Sequence, residues 1–511
     1  MRRSLFVSAL GLTTSISLLL ATRRAAAFAL PAIPLFHSSR GWTSVIPVRD
    51  QSATARAYKS SRKGGQYSVR EDQEDRTSTR PRARETEVEP AARIQRDYPH
   101  VVLRAGKARL FLEGNPLVYG EAVHEVVGHV ADGDFVEVVD HRGNLIGKGC
   151  YNSQSMYRVR LLWHAREKGE ALYASSLEDI VARRVSTAWT TRQALGLPNA
   201  ETTCFRLVNG EGDKLSGLAA DVFDKVCVVS SSSLWCERHK DFIIQGLEAS
   251  LGPAGISTVW RRSEARLKQD GFVDPEEALR PAIDVKAEAR KEGAYVWAKE
   301  AGLKYKVYPE LGQKTGFYCD QRQNRQMIQS LSRGKRVLDL FCYTGGFALN
   351  AARGGAREAI GVDSSALAIE TAMENARAND LEGHVTFCKS DVLVYARDLG
   401  KTGEKAFDIV IADPPKLAPT RRDLPRALHK YLKINRAVFR MVASGGLVLT
   451  HTCSAALTQD PEEFRKMVTQ AAHDVGRSIT ILQVSHAAPC HVQSPVYGES
   501  NYLTAMLVAV F

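Results

Sequence analysis

The chain has 511 residues, long enough for two or three domains with cores of their own. Its net charge of +12 and isoelectric point near 9.2 imply an acidic partner, nucleic acid or an anionic surface, although an Arg-rich leader carries part of that charge. The nine cysteines include no Cys-x-x-Cys pair and no zinc-like His spacing, which argues against a disulfide framework or a metal site and for a reducing compartment.

Residues 1–30 open with Arg2 and Arg3, pass through an apolar stretch from Leu5 to Ala21, and reach small residues at Ala25 to Ala27 before Phe28. This order reads as a cleaved signal peptide over 1–27 rather than a membrane span, so no stable membrane association is expected after its removal. Residues 28–97 are rich in Ser, Thr, Arg and Ala and lack apolar periodicity. They cannot bury a core and read as a transit peptide and disordered linker. The joint AAA-FALP resembles the cut in two-part leaders of algae with complex plastids. A plastid is the expected destination, with a mitochondrion as the alternative.

From His100 to Ala165 the pattern changes to short alternating runs punctuated by Gly and by a turn at Asp140 to Gly143. A small β-domain over 98–171 follows from it, in which Arg104, Lys107 and Arg109 could meet phosphates. A helical pattern from Leu172 to Leu195 leads into LVNGEGDKLSGLAADVF, two strands joined through a Gly-rich turn. A helix at Asp241 to Leu251, a strand at Ser257 to Arg261 and a hairpin reaching Lys306 complete an α/β middle domain over 172–306. No catalytic constellation is visible in it, and its glycines read as turns.

From 307 to 511, strands and helices alternate. The apolar run Val337 to Phe341 carries Asp339 and leads into the pair Gly345-Gly346, an Ala-rich helix, and a second run ending at Asp363 and Ser364. Strands follow at Val385 to Cys388, Phe407 to Ala412 and Gly446 to His451. Helices are expected at Ala366 to Ala378, before Leu399 and near Leu428 to Val442, and one more helix and two strands close the chain. Such alternation builds a parallel, doubly wound sheet with ligands at the carboxyl ends of its strands. Asp363, Asp391, Asp413 and Cys453 all fall at such ends.

The turn after Asp339 lacks the G-x-G-x-x-G spacing of a dinucleotide site. One acid before a Gly turn and another after the next strand suit a ligand with an ammonium at one end and a ribose at the other. S-adenosylmethionine has both, and Asp391 could meet its adenine amino group. Asp413-Pro414-Pro415-Lys416 ends a strand where a transferred methyl would emerge. Its prolines fix an extended path and remove two N–H donors, so a carbonyl and a carboxylate can face the substrate. Lys416 is not aromatic, which argues against methylation of an exocyclic amine.

Cys453 suits covalent catalysis, because carbon 5 of a pyrimidine becomes nucleophilic once a thiolate adds to carbon 6. The other cysteines read as core residues, although Cys342 lies in the cofactor turn. The segment KTGFYCDQRQNR, Lys314 to Arg325, precedes the first strand of this region and could close over the donor or hold a flipped base.

Taken with RVLDLFCYTGGFAL, FDIVIADPPK, the helix Tyr431 to Asn435 and GGLVLTHTCS, these motifs resemble one family. It comprises the class I methyltransferases similar to bacterial large-subunit ribosomal RNA methyltransferase I, which make 5-methylcytosine in 23S-type rRNA. The resemblance spans about residues 100–511. It implies a PUA domain for RNA, a central α/β domain and a Rossmann-like methyltransferase domain that uses S-adenosylmethionine.

Carried over by position, Tyr343, Thr344, Gly345, Asp363, Asp391 and Asp413 would form the cofactor site with Asp320 and Gln321 nearby, and Cys453 would be the nucleophile. Asp339, Gly346, Ser364 and Pro414 complete the expected cofactor-binding set. Asp413 would also hold or protonate the pyrimidine ring near nitrogen 3. Gly114 to Tyr119 departs from the His-Pro-Trp-Val-Phe common in the family. Other RNA 5-methylcytosine enzymes carry a second Cys after the Pro pair; here, as in this family, Lys follows, so product release relies on something other than a second thiol.

The expected activity is therefore cytosine C5 methylation of organellar large-subunit rRNA. The alternatives are guanine or uracil methylation on the same fold, or a ribosome-assembly factor that binds rRNA. A homodimer is a further open expectation.

Overall fold

The computed structural model describes residues 98–167, 175–274, 285–289, 291, 293–402, 406–418 and 420–511. The expected signal peptide, transit peptide and linker lie outside these residues.

The alternating runs near the start form β1 (His100–Leu103), β2 (Leu117–Tyr119), β3 (Val123–Val127), β4 (Phe135–Val139), β5 (Leu145–Tyr151) and β6 (Tyr157–His164), arranged as β2-β6-β5-β4-β1-β3. Val101, Leu103, Val136, Val138 and Ile146 pack with Phe111 into a separate core. The divergent Gly114 to Tyr119 stretch supplies β2. Asn115 Oδ1 accepts the Leu117 N–H at 2.9 Å, and Leu117 and Val118 are buried. Arg104, Lys107 and Arg109 are exposed, and Arg109 pairs with Glu113.

In helix α1 (Leu177–Ala194), Ser176 and Asp179 form a reciprocal cap that fixes the first turn; residues 172–174 of the expected helical pattern lie outside the described residues. Together with α2 (Lys240–Leu251) it packs on a sheet ordered β10-β9-β8-β7. These strands are β7 (Cys204–Asn209), β8 (Leu218–Phe223), β9 (Val226–Ser231) and β10 (Ser257–Arg262). The hairpin of β11 (Val296–Glu300) and β12 (Leu303–Val307) turns Ala298, Leu303, Tyr305 and Val307 into the core of the next sheet. The expected domain boundary at 306–307 falls inside β12.

Helix α3 (Arg322–Leu331) leads to a seven-stranded sheet, ordered β15-β14-β13-β16-β17-β19-β18. Its strands are β13 (Arg336–Leu340), β14 (Glu358–Asp363), β15 (Val385–Lys389), β16 (Phe407–Ala412), β17 (Val442–Thr452), β18 (Ile479–Ser485) and β19 (Thr504–Val510). Strands β13 to β17 are parallel neighbours, each reached through a helix: α4 (Gly346–Arg353), α5 (Ala366–Ala378), α6 (Val392–Thr402) and α7 (Leu424–Met441). The sheet is mixed, however, rather than wholly parallel. After α8 (Pro461–His473) and β18, no crossover helix remains, so β19 returns antiparallel to both β17 and β18. That return places the 486–503 loop at the carboxyl edge of the sheet, beside the ends of β16 and β17.

Parity decides which side chains meet. Ile409, Ile411 and Leu449 pack with Phe347 and Ala348 of α4 on one face, while Val410, Ala412 and Val448 pack with Tyr431 and Val438 of α7 on the other.

Candidate active site

The turn after β13 is unusually sharp. Phe341, Tyr343 and Gly345 have φ values of +65°, +49° and +85°, and a Cβ at Gly345 would sit 2.7 Å from Phe387 Cζ. Gly346 starts α4 with Arg325 packed close against it. Asp339 caps that helix from below, Oδ2 accepting the Ala348 N–H at 2.9 Å, while its buried Oδ1 has no partner among the described residues. Burial, and then the charges of Asp413 and Asp363, push the Asp339 carboxyl up to about 8. The buried Thr344 hydroxyl is likewise unpartnered.

Asp363 locks the turn to the next strand. Its Oδ2 accepts the Tyr343 N–H at 3.0 Å and its Oδ1 the Ser365 N–H at 2.9 Å, leaving a second lone pair on each oxygen. Ser364 is exposed, and its neighbour Ser365 caps α5, its Oγ accepting the Ala368 N–H. Asp391 is exposed and caps α6: Oδ1 accepts the N–H groups of Leu393 and Val394. The structure thus makes Asp391 the helix cap its sequence position allows, with Oδ2 left over for a ligand.

The second half of the site lies at the ends of β16 and β17. Half-buried Cys453 donates its thiol to the Pro414 carbonyl at 3.7 Å. Asp413 Oδ2 accepts from Gln321 Nε2 at 2.9 Å, and Gln321 Oε1 accepts from Asn324. Burial is the largest influence on both reactive groups. It raises the Asp413 carboxyl, and with the nearby Asp413 charge it pushes the Cys453 thiol up to about 12, against a lowering pull from Lys314. At neutral pH the Cys453 thiol is therefore protonated. The sequence reading expected an activated cysteine; burial and the neighbouring Asp413 charge work against thiolate formation there, and Lys314 favours it.

The KTGFYCDQRQNR segment touches both halves of the site. Lys314, at φ +52°, bonds Asp320 Oδ2 at 2.9 Å and lies 4.1 Å from the Tyr318 ring centre. Tyr502 donates to the same Asp320 oxygen. Burial alone would raise the Asp320 carboxyl, but Lys314, His491 and Tyr502 outweigh it and hold the group well below the usual carboxylate range. Tyr343 donates to the Gly316 carbonyl, stitching this segment to the cofactor turn.

Three groups escaped the sequence reading. Arg192 pairs with Asp213 and donates to the Cys490 carbonyl, and Asn209 donates to the Val492 carbonyl, so the middle domain anchors the 486–503 loop. Arg206 clamps Asp221, which accepts from Thr315. Only the density of charged groups around the N-G-E-G turn hinted at this role. His451 is fully buried, held by the Ala412 carbonyl through Nδ1, with Nε2 unpartnered among the described residues.

The unpartnered Asp339 and Thr344 oxygens, the open lone pairs of Asp363 and the glycine turn are groups that could hold S-adenosylmethionine.

Comparison with known proteins agrees. Residues 101–163 match the PUA-like domain family, and residues 217–475 match the S-adenosylmethionine-dependent methyltransferase family. The chain is similar to ribosomal RNA large subunit methyltransferase I of Aeromonas hydrophila, 32% identical over 80% of this chain and 98% of that protein. The Shewanella frigidimarina protein of the same name is 33% identical over 80% of this chain and 99% of its own length. Among solved structures, a methyltransferase complexed with SAH superposes with a TM-score of 0.65 at 18% identity, covering 80% of this chain and 99% of the other. A SAM-dependent methyltransferase from Streptococcus mutans gives 0.62 at 18% identity over the same shares, which supports the fold. The chain belongs to the ribosomal RNA large subunit methyltransferase I family and is an S-adenosylmethionine-dependent methyltransferase with a PUA-like domain ahead of its Rossmann-like catalytic fold.

Proposed function

We propose that this enzyme methylates carbon 5 of a cytosine in the large-subunit rRNA of an organelle, a plastid in preference to a mitochondrion. The observation that carries the reading is the juxtaposition of Cys453 with Asp413 and the Pro414 carbonyl at the ends of β16 and β17. Thiolate addition to carbon 6 forms a C–S bond and turns carbon 5 into a nucleophile. Asp413, whose carboxyl retains its proton more readily than usual, donates toward ring nitrogen 3 and offsets the charge that develops there. The bound donor supplies an electrophilic methyl group. Solvent water then takes the carbon 5 proton as the Cys453 C–S bond breaks, and nitrogen 3 returns its proton to Asp413, restoring the aromatic ring and the free thiolate. Gln321 holds Asp413 in place.

The organellar part of the reading is supported by residues 1–97, which carry 17 basic against 9 acidic residues and an apolar stretch, Leu5 to Ala21, followed by Ala25 to Ala27 before Phe28. Bisulfite sequencing of organellar and cytosolic rRNA, with and without the protein and after complementation by wild type or Cys453→Ala, tests both parts. One organellar cytosine that loses protection and is restored only by wild type is the expected result. Unchanged protection everywhere would refute cytosine methylation, and mass mapping of the same rRNA would then separate guanine or uracil methylation from a binding-only role.

A further inference from the structure

Residues 98–511 are close to charge balance, since residues 1–97 alone hold a surplus of eight basic residues out of the net +12. Against that background α7 stands apart. From Arg421 to Arg440 it and its leading turn carry seven basic residues and one acid, Asp423, whose carboxylate is turned back onto Thr420. The apolar side of the helix, including Ala427, Tyr431, Ile434 and Val438, is buried. Arg422, Arg426, Lys430 and Lys433 therefore fall on the opposite, exposed stripe at i+3 and i+4 spacing.

An ordinary solvated helix face intermixes charges, and this protein's other exposed helices do so. Arg397 and Lys401 share Asp398 on α6, Arg465 meets Glu462 on α8, and Arg377 meets Glu382 after α5. Among the described residues, no ion pair involves Arg422, Arg426, Lys430 or Lys433. Arg421, Arg422 and Arg426 also lie at the positive end of the helix dipole, where cations are disfavoured, so local stability does not account for them.

The ridge is coupled to the reaction centre. Helix α7 follows the Asp-Pro-Pro-Lys turn, and it is registered on β17 by the Thr452 hydroxyl donating to Tyr431 OH at 3.0 Å and the Thr450 hydroxyl donating to Asn435 Oδ1 at 2.8 Å. Thr452 immediately precedes Cys453. The 18-residue helix is about 27 Å long, and successive i, i+4 cations are about 6 Å apart along it.

We infer that the exposed stripe of α7, Arg422, Arg426, Lys430 and Lys433, is a track for the phosphate backbone of the substrate RNA, leading it to Cys453. The inference rests on the reading that the substrate is RNA and commits to its sugar-phosphate chain, since unpaired cations in a row complement repeated phosphates and read no base.

The test compares the full chain with a variant carrying Arg422→Ala, Arg426→Ala, Lys430→Ala and Lys433→Ala, and with Arg377→Ala as a control away from the stripe. Binding to a large-subunit rRNA fragment is measured from 50 to 300 mM salt, together with methylation kinetics, donor affinity and thermal unfolding. The expected result is at least a tenfold loss of RNA affinity, a salt slope shallower by about 3 for four lost contacts, a raised KM with kcat nearly kept, and unchanged donor affinity and unfolding. RNA affinity and slope equal to wild type, or an equal loss in Arg377→Ala, would overturn the track. So would a loss confined to phosphatidylglycerol vesicles with RNA binding intact. The two readings fail separately: methylation of a base other than cytosine with the ridge effect present refutes the nucleotide alone, whereas cytosine methylation untouched by the variant refutes the ridge alone.

Discussion

Gln321 Nε2 donates to Asp413 Oδ2 at 2.9 Å, tying the segment ahead of the catalytic sheet to the Asp-Pro-Pro-Lys turn across 92 residues of chain. The bond lowers the Asp413 carboxyl against a larger raising effect of burial. Removing it with Gln321→Ala leaves a buried carboxyl oxygen unpartnered and raises that carboxyl further. The expected outcome is at least a tenfold fall in kcat, with the pH profile of kcat displaced toward higher pH and donor affinity nearly unchanged. A profile that stays in place would show that Asp413 does not titrate in the rate-limiting step.

Asp339 carries a pH dependence of stability. Its folded carboxyl is pushed up to about 8 by burial, whereas in the unfolded chain it ionises near 4. Between those values the folded state holds the extra proton, so folding stability in the absence of donor falls as pH rises from about 4 to about 8, by about 5 kcal/mol at most. Asp339→Asn should flatten that slope, unfold at a higher temperature than wild type at pH 8, and bind S-adenosylmethionine at least tenfold more weakly for want of an ammonium partner. Thermal melts across this range and donor titration decide it, and an unaltered slope would show that Asp339 is ionised in the fold.

The thiol of Cys453 makes a chemical prediction. Pushed up to about 12, it should react slowly with iodoacetamide at pH 8 in the free protein. Asp413→Asn removes the nearest raising charge, so the thiolate becomes easier to form and alkylation at Cys453, followed by peptide mass, should speed up several-fold while methylation is lost. Slower or equal alkylation in the variant would contradict the charge coupling.

Gly345 is required by its backbone as well as by space. At φ +85° any other L-residue is strained, and an added Cβ meets the Phe387 ring at 2.7 Å. Gly345→Ala should cost about 2 kcal/mol in denaturant unfolding and weaken donor binding, because the turn carries the Tyr343 N–H that Asp363 holds. Wild-type stability would mean that the turn can repack.

Much of the catalytic fold was legible in the chain. The apolar runs gave the strands β13 to β16 nearly to the residue, and the Gly pair gave the sharp turn after β13, because each depends on neighbours a few positions away. Asp391 shows how local that reading is. A carboxylate or hydroxyl after a strand is equally a helix cap, and the turn geometry gave the caps to Asp391 and Ser365.

The order of secondary-structure elements, the strained glycine turn and the reactive residue types were set by local pattern and covalent geometry, and the sequence by itself determined them. Tertiary structure decided the rest: the antiparallel return of β19, the anchoring of the 486–503 loop by Arg192 and Asn209 from nearly 300 residues away, and the burial that raises the Asp339 and Asp413 carboxyls and the Cys453 thiol. Those depend on which distant groups share a water-excluded space. Desolvation and long-range hydrogen bonding are properties of the packed chain, and no local pattern of residues encodes them.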